Sequence, residues 1–172
     1  FSKKPAQVDQ NIAAYLESEV FDCWPEETKE FLIQTSFLDK LSGSLCSSVT
    51  GNDKSAVLLK KLSKSNAFIV SLDSNEEWYR YHHLCQDFLL ERLNERGEEE
   101  GRRLYLLAAD WFFEQEMLEN SIKFLLEAKN YQRFVQVFLK YIRITVLREA
   151  KESDLQLIRK WYANVPEEYF SS

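Results

Sequence analysis

Leu45-Cys46-Ser47-Ser48-Val49, broken by Thr50-Gly51-Asn52-Asp53 and resumed as Lys54-Ser55-Ala56-Val57-Leu58-Leu59-Lys60-Lys61-Leu62, decides how this chain folds. The break carries turn chemistry and the flanking residues follow helical spacing, so the stretch predicts a short helix, a turn and a longer helix. Ser42-Gly43-Ser44 opens the unit. Downstream, Ala67-Phe68-Ile69-Val70-Ser71-Leu72 and Trp78-Tyr79-Arg80-Tyr81-His82 are strand-like and flank the polar run Asp73-Ser74-Asn75-Glu76-Glu77. That pattern predicts a β-hairpin. A helix-turn-helix followed by a two-stranded wing is a winged-helix arrangement.

Working outward, Ile12, Tyr15, Leu16, Val20 and Phe21 fall at helical spacing over Asn11 to Cys23. Trp24-Pro25-Glu26-Glu27 then stops that helix and starts another with proline in its first turn, running to about Phe37 with Phe31, Leu32 and Ile33 inward. Beyond the acidic, glycine-flanked run Asn94-Glu95-Arg96-Gly97-Glu98-Glu99-Glu100-Gly101 the pattern is helical to the end. This places the domain boundary at residue 97: a winged-helix domain with N-terminal helices over 1–97, and a helical domain over 98–172. Leu104, Leu107, Ala108, Trp111 and Phe112 form one apolar stripe; Ile122, Leu125, Leu126 and Ala128 form another; Phe134, Val135, Phe138, Leu139 and Ile142 form a third. Ala108, Ala109 and Ala128 between bulky neighbours suit closely packed helix pairs, as at the start of a superhelical repeat array. Leu155, Ile158, Trp161 and Tyr162 predict a last helix ended by Val165-Pro166. The fold class expected is mainly α, a winged helix with a short β-hairpin followed by a helical, repeat-like segment.

Composition agrees with this. The chain has 172 residues, 45% apolar and 14% aromatic, with only 4 glycines and 3 prolines, so it can bury a core and few residues break helices. A net charge of −6 argues against broad, nonspecific phosphate-backbone binding. Cys23, Cys46 and Cys85 are odd in number and widely spaced, which predicts buried, reduced thiols and a cytoplasmic protein. No run of about 18 apolar residues is present, and Phe1-Ser2-Lys3-Lys4-Pro5 is unlike a signal peptide. Without an initiator methionine, the chain reads as a piece of something longer.

The candidate site is Trp78-Tyr79-Arg80-Tyr81-His82-His83-Leu84, which holds both histidines of the chain where a strand turns into the helix of Cys85-Gln86-Asp87-Phe88-Leu89-Leu90-Glu91-Arg92-Leu93. Backbone N–H groups point outward in a first helical turn, so a histidine there can meet an anion. The other uses of His82 are as a helix cap or packed beneath Trp78. As adjacent residues the histidines point to different sides, and no third ligand stands at a matched spacing, which argues against zinc. Cys85, His82 and Asp87 do not share one helix face, which argues against a nucleophile with its base. No Gly-x-x-x-x-Gly-Lys-Ser/Thr loop is present, so the chain does not cradle a nucleoside triphosphate in the P-loop manner. Lys54, Lys60, Lys61 and Lys64 lie on or just beyond the second helix and would meet phosphates in a stand-alone winged-helix DNA-binding protein with a helical oligomerisation tail. Apart from Asn52, that segment carries no Arg, Asn or Gln to read base edges.

Several stretches together carry a family resemblance: Tyr15-Leu16-Glu17-Ser18-Glu19-Val20, Phe31-Leu32-Ile33-Gln34-Thr35-Ser36, Leu45-Cys46 with Val49-Thr50-Gly51, and Trp78-Tyr79-Arg80-Tyr81-His82-His83-Leu84 with Phe88-Leu89. Across residues 10 to 128 the chain resembles the large ATP-dependent LuxR-type transcriptional activators, the family of the maltose-regulon activator. The resemblance implies a middle fragment that is not itself an enzyme. Its parent would be an ATP-binding switch, with an upstream P-loop ATPase domain and a downstream DNA-binding domain as partners within the same polypeptide. An inducer or regulatory protein would act on the helical region; no membrane and no direct DNA contact by the fragment are expected. Related signal-transduction ATPases carry Met-His-Asp in their winged helix, and Tyr81-His82-His83 is similar. The likeness assigns His82 to the β-phosphate of ADP held by the missing domain, with His83 where the family carries an acid. ATP and ADP are thus cofactors of the parent, with none held by the fragment.

Overall fold

The computed structural model describes residues 21, 23–65 and 68–170. The helix expected over Asn11 to Cys23 therefore lies almost wholly outside the described residues. The described residues contain eight α-helices and a three-stranded antiparallel sheet, and they divide into two compact units between Leu104 and Tyr105. The expected boundary at Gly97 falls in the link between two helices, just short of that division.

The first unit begins with α1 (Glu26–Thr35), whose Glu26 and Glu27 sit at its positive end and whose Phe31, Leu32 and Ile33 are buried. Pro25 stands at the N-cap rather than inside the first turn. The helix ends before Phe37, and hydroxyls add to the bonding of its last carbonyls: Thr35 Oγ1 donates to Phe31 O at 2.8 Å and Ser36 Oγ to Ile33 O at 2.8 Å.

A two-residue strand follows, β1 (Leu41–Ser42), then α2 (Gly43–Thr50) and α3 (Ser55–Lys64). Ser42 Oγ caps α2 by accepting from the Leu45 N–H. Gly51, at φ 71°, ends α2 in the left-handed conformation, and Ser55 Oγ donates to Asn52 O at 2.6 Å across the turn. Gly43 lets α2 and α3 meet, since a Cβ there would lie 2.6 Å from the Ala56 Cβ.

The wing is β2 (Ile69–Ser71) and β3 (Trp78–Tyr81), paired Ile69 to Tyr81, Val70 to Arg80 and Ser71 to Tyr79. It has a third strand that the two-stranded expectation omits, because β1 pairs with the other edge of β3, Leu41 to Tyr79 and Ser42 to Trp78. Two residues are too few to show an alternation, which is why the sequence does not announce β1. Helix α4 (His83–Glu95) closes the unit with Cys85, Phe88, Leu89, Leu90 and Leu93 buried. Just past it, Arg96 grips Glu30 of α1 with two bonds of 2.7 and 2.6 Å, and Glu30 also accepts from Gln34.

Helix α5 (Glu98–Glu114) carries the chain into the second unit, followed by α6 (Leu118–Glu127), α7 (Tyr131–Leu147), α8 (Glu152–Tyr162) and a closing 3-10 turn, Glu167–Phe170. Ala108 and Ala109 are fully buried and Ser121 Oγ donates to Ala109 O at 2.9 Å, so α5 and α6 approach closely at small residues. Phe112 and Phe124 stack with centroids 5.5 Å apart, and Phe134, Phe138, Tyr141 and Trp161 continue the aromatic core. The stripe of α7 needs correction. Phe134, Val137, Phe138, Tyr141 and Thr145 face inward, while Leu139 is 58% exposed and Val135 and Ile142 are only half-buried. Both sets fit helical spacing, and the apolar content of α7 on two sides hid which one the neighbours cover.

Candidate functional site

The backbone at His82 is held from both directions. Its N–H donates to Phe68 O at 2.7 Å, extending the β2–β3 pairing by one step, and its carbonyl accepts from the Gln86 N–H at 2.9 Å as the first bond of α4. His82 is thus the N-cap residue, with extended φ and ψ, and its side chain makes no cap hydrogen bond. It is exposed, as is His83, the first residue of the helix. An imidazole neither capping the helix nor buried beneath Trp78 is presented to solvent. No acidic residue occupies the first turn of α4, so the helix supplies no carboxylate of its own to the N–H groups there.

The two imidazoles do not diverge as neighbours on a regular element would. Their centroids are 4.5 Å apart with planes tilted by 33°, because His82 is extended and His83 helical, and the change of backbone conformation between them turns both rings to one side. Among the described residues, no group of three or more His, Cys, Asp and Glu side chains gathers to hold a metal ion.

What fixes the step lies underneath it. Tyr81, 3% exposed, sets its hydroxyl 2.6 Å from Thr35 Oγ1 and 3.4 Å from Leu32 O. Gln86, 7% exposed, donates from Nε2 to Ser36 O at 2.8 Å and to Leu38 O at 3.0 Å. Both anchors grip the C-terminal end of α1. Sequence reading does not single out Gln86 or Thr35; the one signal is a polar side chain at an otherwise apolar position of the α4 pattern.

The other candidate groups are not brought to this place. Cys85 is buried 3% exposed on α4 and burial pushes its thiol up to about 12, while burial of Cys46 pushes that thiol up further still. Neither supplies a thiolate nucleophile near neutrality. Cys23, expected in the core with them, is exposed, because it sits in the turn before α1 rather than on a helix face. Lys54 at the N-cap of α3 and Lys61 and Lys64 on it are exposed, but Lys60 reaches back to Glu76 in the wing turn, Nζ to Oε2 2.7 Å. The partnership raises the Lys60 pKa and lowers that of Glu76, mainly through their hydrogen bond.

That wing turn is ordered by Asp73, which accepts from the N–H groups of Glu77 at 3.0 Å and Trp78 at 2.8 Å. Those backbone bonds hold its carboxyl below the usual carboxylate range. With Asp73, Glu76 and Glu77 at its tip, the wing is acidic where a DNA-binding wing would meet phosphates.

Residues 17–101, which include the helix-turn-helix, the wing and the His82-His83 step, match the family of the MalT winged helix domain. Over this stretch the chain belongs to the MalT winged-helix family. The HTH-type transcriptional regulator MalT of Vibrio cholerae is 30% identical over 127 residues, 74% of this chain and 14% of that protein. MalT of Klebsiella pneumoniae is 26% identical over 131 residues, 76% of this chain and 14% of the relative. The serine/threonine-protein kinase PknK of Mycobacterium tuberculosis is 27% identical over 126 residues, 73% of this chain and 11% of the kinase. The chain thus spans about a seventh or less of the length of these relatives. Tyr81-His82-His83 lies within the matched residues, at the junction of β3 and α4. No helix among the described residues is long and apolar enough to cross a membrane.

Proposed function

We propose that this chain is the regulatory middle portion of a cytoplasmic, ATP-dependent LuxR-type transcription regulator. Its winged helix closes on ADP or ATP held by an upstream P-loop domain of the same polypeptide, and the helices after Gly97 relay inducer or regulatory-protein binding to that closure. A DNA-binding domain downstream delivers the output. The observation that carries the reading is the exposed, uncapped His82 at the start of α4 within the MalT winged-helix match. Its imidazole N–H donates to the β-phosphate, a charge-assisted bond of about 1.5–3 kcal/mol, enough to bias a closed state roughly tenfold or more. Similarity to a kinase as well as to transcription regulators supports a winged helix that works as a switch module rather than as the output itself.

The stand-alone DNA-binding alternative is less well supported. Lys60 is occupied by Glu76, and an acidic wing beside the basic face of α3 repels the backbone that the lysines would attract.

In the parent protein, His82→Ala loosens ADP retention and raises basal transcription. Unchanged ADP affinity together with unchanged basal transcription removes the assignment.

A further inference from the structure

We infer that Gln86 is the positioning residue of the His82-His83 step, acting with Tyr81 to hold the backbone that carries the imidazoles in place relative to the end of α1; this rests on the phosphate reading of His82 above. A primary amide is an expensive choice for a place that is 7% exposed, where leucine packs without desolvating a polar group. Its two bonds explain it. Nε2 donates to the carbonyls of Ser36 and Leu38, which follow the last turn of α1. Two acceptors on one amide nitrogen fix the plane of that side chain, and hence the rotation of α4 where it begins.

The geometry links this to the histidines. Gln86 sits one turn beyond His82 and donates its own N–H to the His82 carbonyl at 2.9 Å. On the other side, Tyr81 immediately precedes His82 and is tied to Thr35 at 2.6 Å. The exposed step is therefore suspended between two buried bonds that reach the same helix end, at Thr35 and at Ser36 to Leu38. A shift of His82 along α4, or a tilt of its Cα–Cβ direction, strains one of them. Buried polar pairs of this kind add more to uniqueness of geometry than to stability. His82 makes no side-chain cap bond, so what the anchors set is the place and direction of its Cα–Cβ bond, from which the ring extends.

The test uses three variants of the 172-residue chain: Gln86→Met, Tyr81→Phe, and Val49→Ala as a core control in the same unit. NMR of the imidazole Cε1–H groups reads ring environment directly, which general loss of stability does not move while the chain stays folded. Displaced or broadened His82 signals in Gln86→Met and Tyr81→Phe, with Val49→Ala like wild type, support positioning. Wild-type His82 signals in folded Gln86→Met and Tyr81→Phe overturn it, and if Gln86→Met does not fold, Tyr81→Phe decides alone. In the parent, Gln86→Met should speed ADP release about tenfold, the bias that a charge-assisted His82 contact supplies. If His82→Ala speeds release and Gln86→Met does not, positioning is wrong and the phosphate reading stands. If His82→Ala has no effect, that reading fails, and the ring signals alone settle whether Gln86 sets their direction.

Discussion

The hydroxyls of Thr35 and Tyr81 lie 2.6 Å apart inside the winged helix, joining residues 46 positions apart in the sequence. Thr35 Oγ1 also donates to Phe31 O at 2.8 Å, and a hydroxyl has one proton, so Tyr81 is the donor of the pair. The two sides are then unequal. Tyr81→Phe leaves Thr35 with its own donation intact and should cost about 1 kcal/mol. Thr35→Val leaves the Tyr81 hydroxyl with only the 3.4 Å contact to Leu32 O, and should cost about 1–3 kcal/mol as a buried, poorly satisfied donor. The double variant should be less destabilised than the sum of the two, by about 0.5–1 kcal/mol in a urea unfolding cycle. Strict additivity means the bond contributes nothing.

The wing turn should open in acid. Asp73 has a folded pKa below its unfolded value because its carboxylate accepts backbone N–H groups, so its contribution is present above the unfolded value, near 3.9, and is lost as pH falls through the folded one. Glu76, lowered by Lys60, shifts in the same direction. Amide exchange of Glu77 and Trp78, corrected for intrinsic rates, should therefore accelerate below about pH 4 while amides of α4 stay protected. Asp73→Ala should show fast exchange already at neutral pH. Slow exchange in that variant means that the strands alone hold the turn.

Much of this architecture is legible before any coordinates, and the gaps have identifiable causes. Helices α2 and α3 and the wing announce themselves because Gly51, Asn52 and the 73–77 loop combine turn chemistry with changes of period. Strand β1 does not, being two residues long. The candidate histidines stand out by their number and place, whereas Gln86 and Thr35 do not, since a partner 46 to 50 residues away leaves no local trace. The ends of α5 and α6 are hidden for another reason. Glu116, at φ 58°, and Lys129, at φ 52°, hold the left-handed positions where glycine is expected.

Those two positions give a prediction of opposite sign to most substitutions. After Glu116 the Met117 N–H donates to Phe112 O at 2.9 Å, and after Lys129 the Asn130 N–H donates to Leu125 O at 3.0 Å, so both turns close in the same way. A side chain with a Cβ is strained at such φ, by about 1 kcal/mol relative to glycine. Glu116→Gly and Lys129→Gly should each raise stability by about 0.5–1 kcal/mol, read as a higher urea midpoint at constant slope. A lower midpoint in both means that the side chains hold these turns by contacts stronger than the strain.

The thiols should separate by position. Cys85 is pushed up to about 12 from 9.0 and Cys46 further, both by burial, so each folded value lies above the unfolded one. For an acid raised in this way, stability is fully present below the unfolded value and is lost as pH rises toward the folded one. The winged helix should therefore weaken between about pH 9 and pH 12, with Tyr81, raised by the same burial, adding to the loss. Exposed Cys23 should react with a maleimide in seconds to minutes at neutral pH, while Cys46 and Cys85 wait for opening of the unit. Cys46→Val with Cys85→Val should make the alkaline loss of stability shallower without changing the stability profile below pH 8. An unchanged alkaline limb in that double variant assigns the loss to the tyrosines, because among the described residues of this unit no other buried acid is raised in the same range.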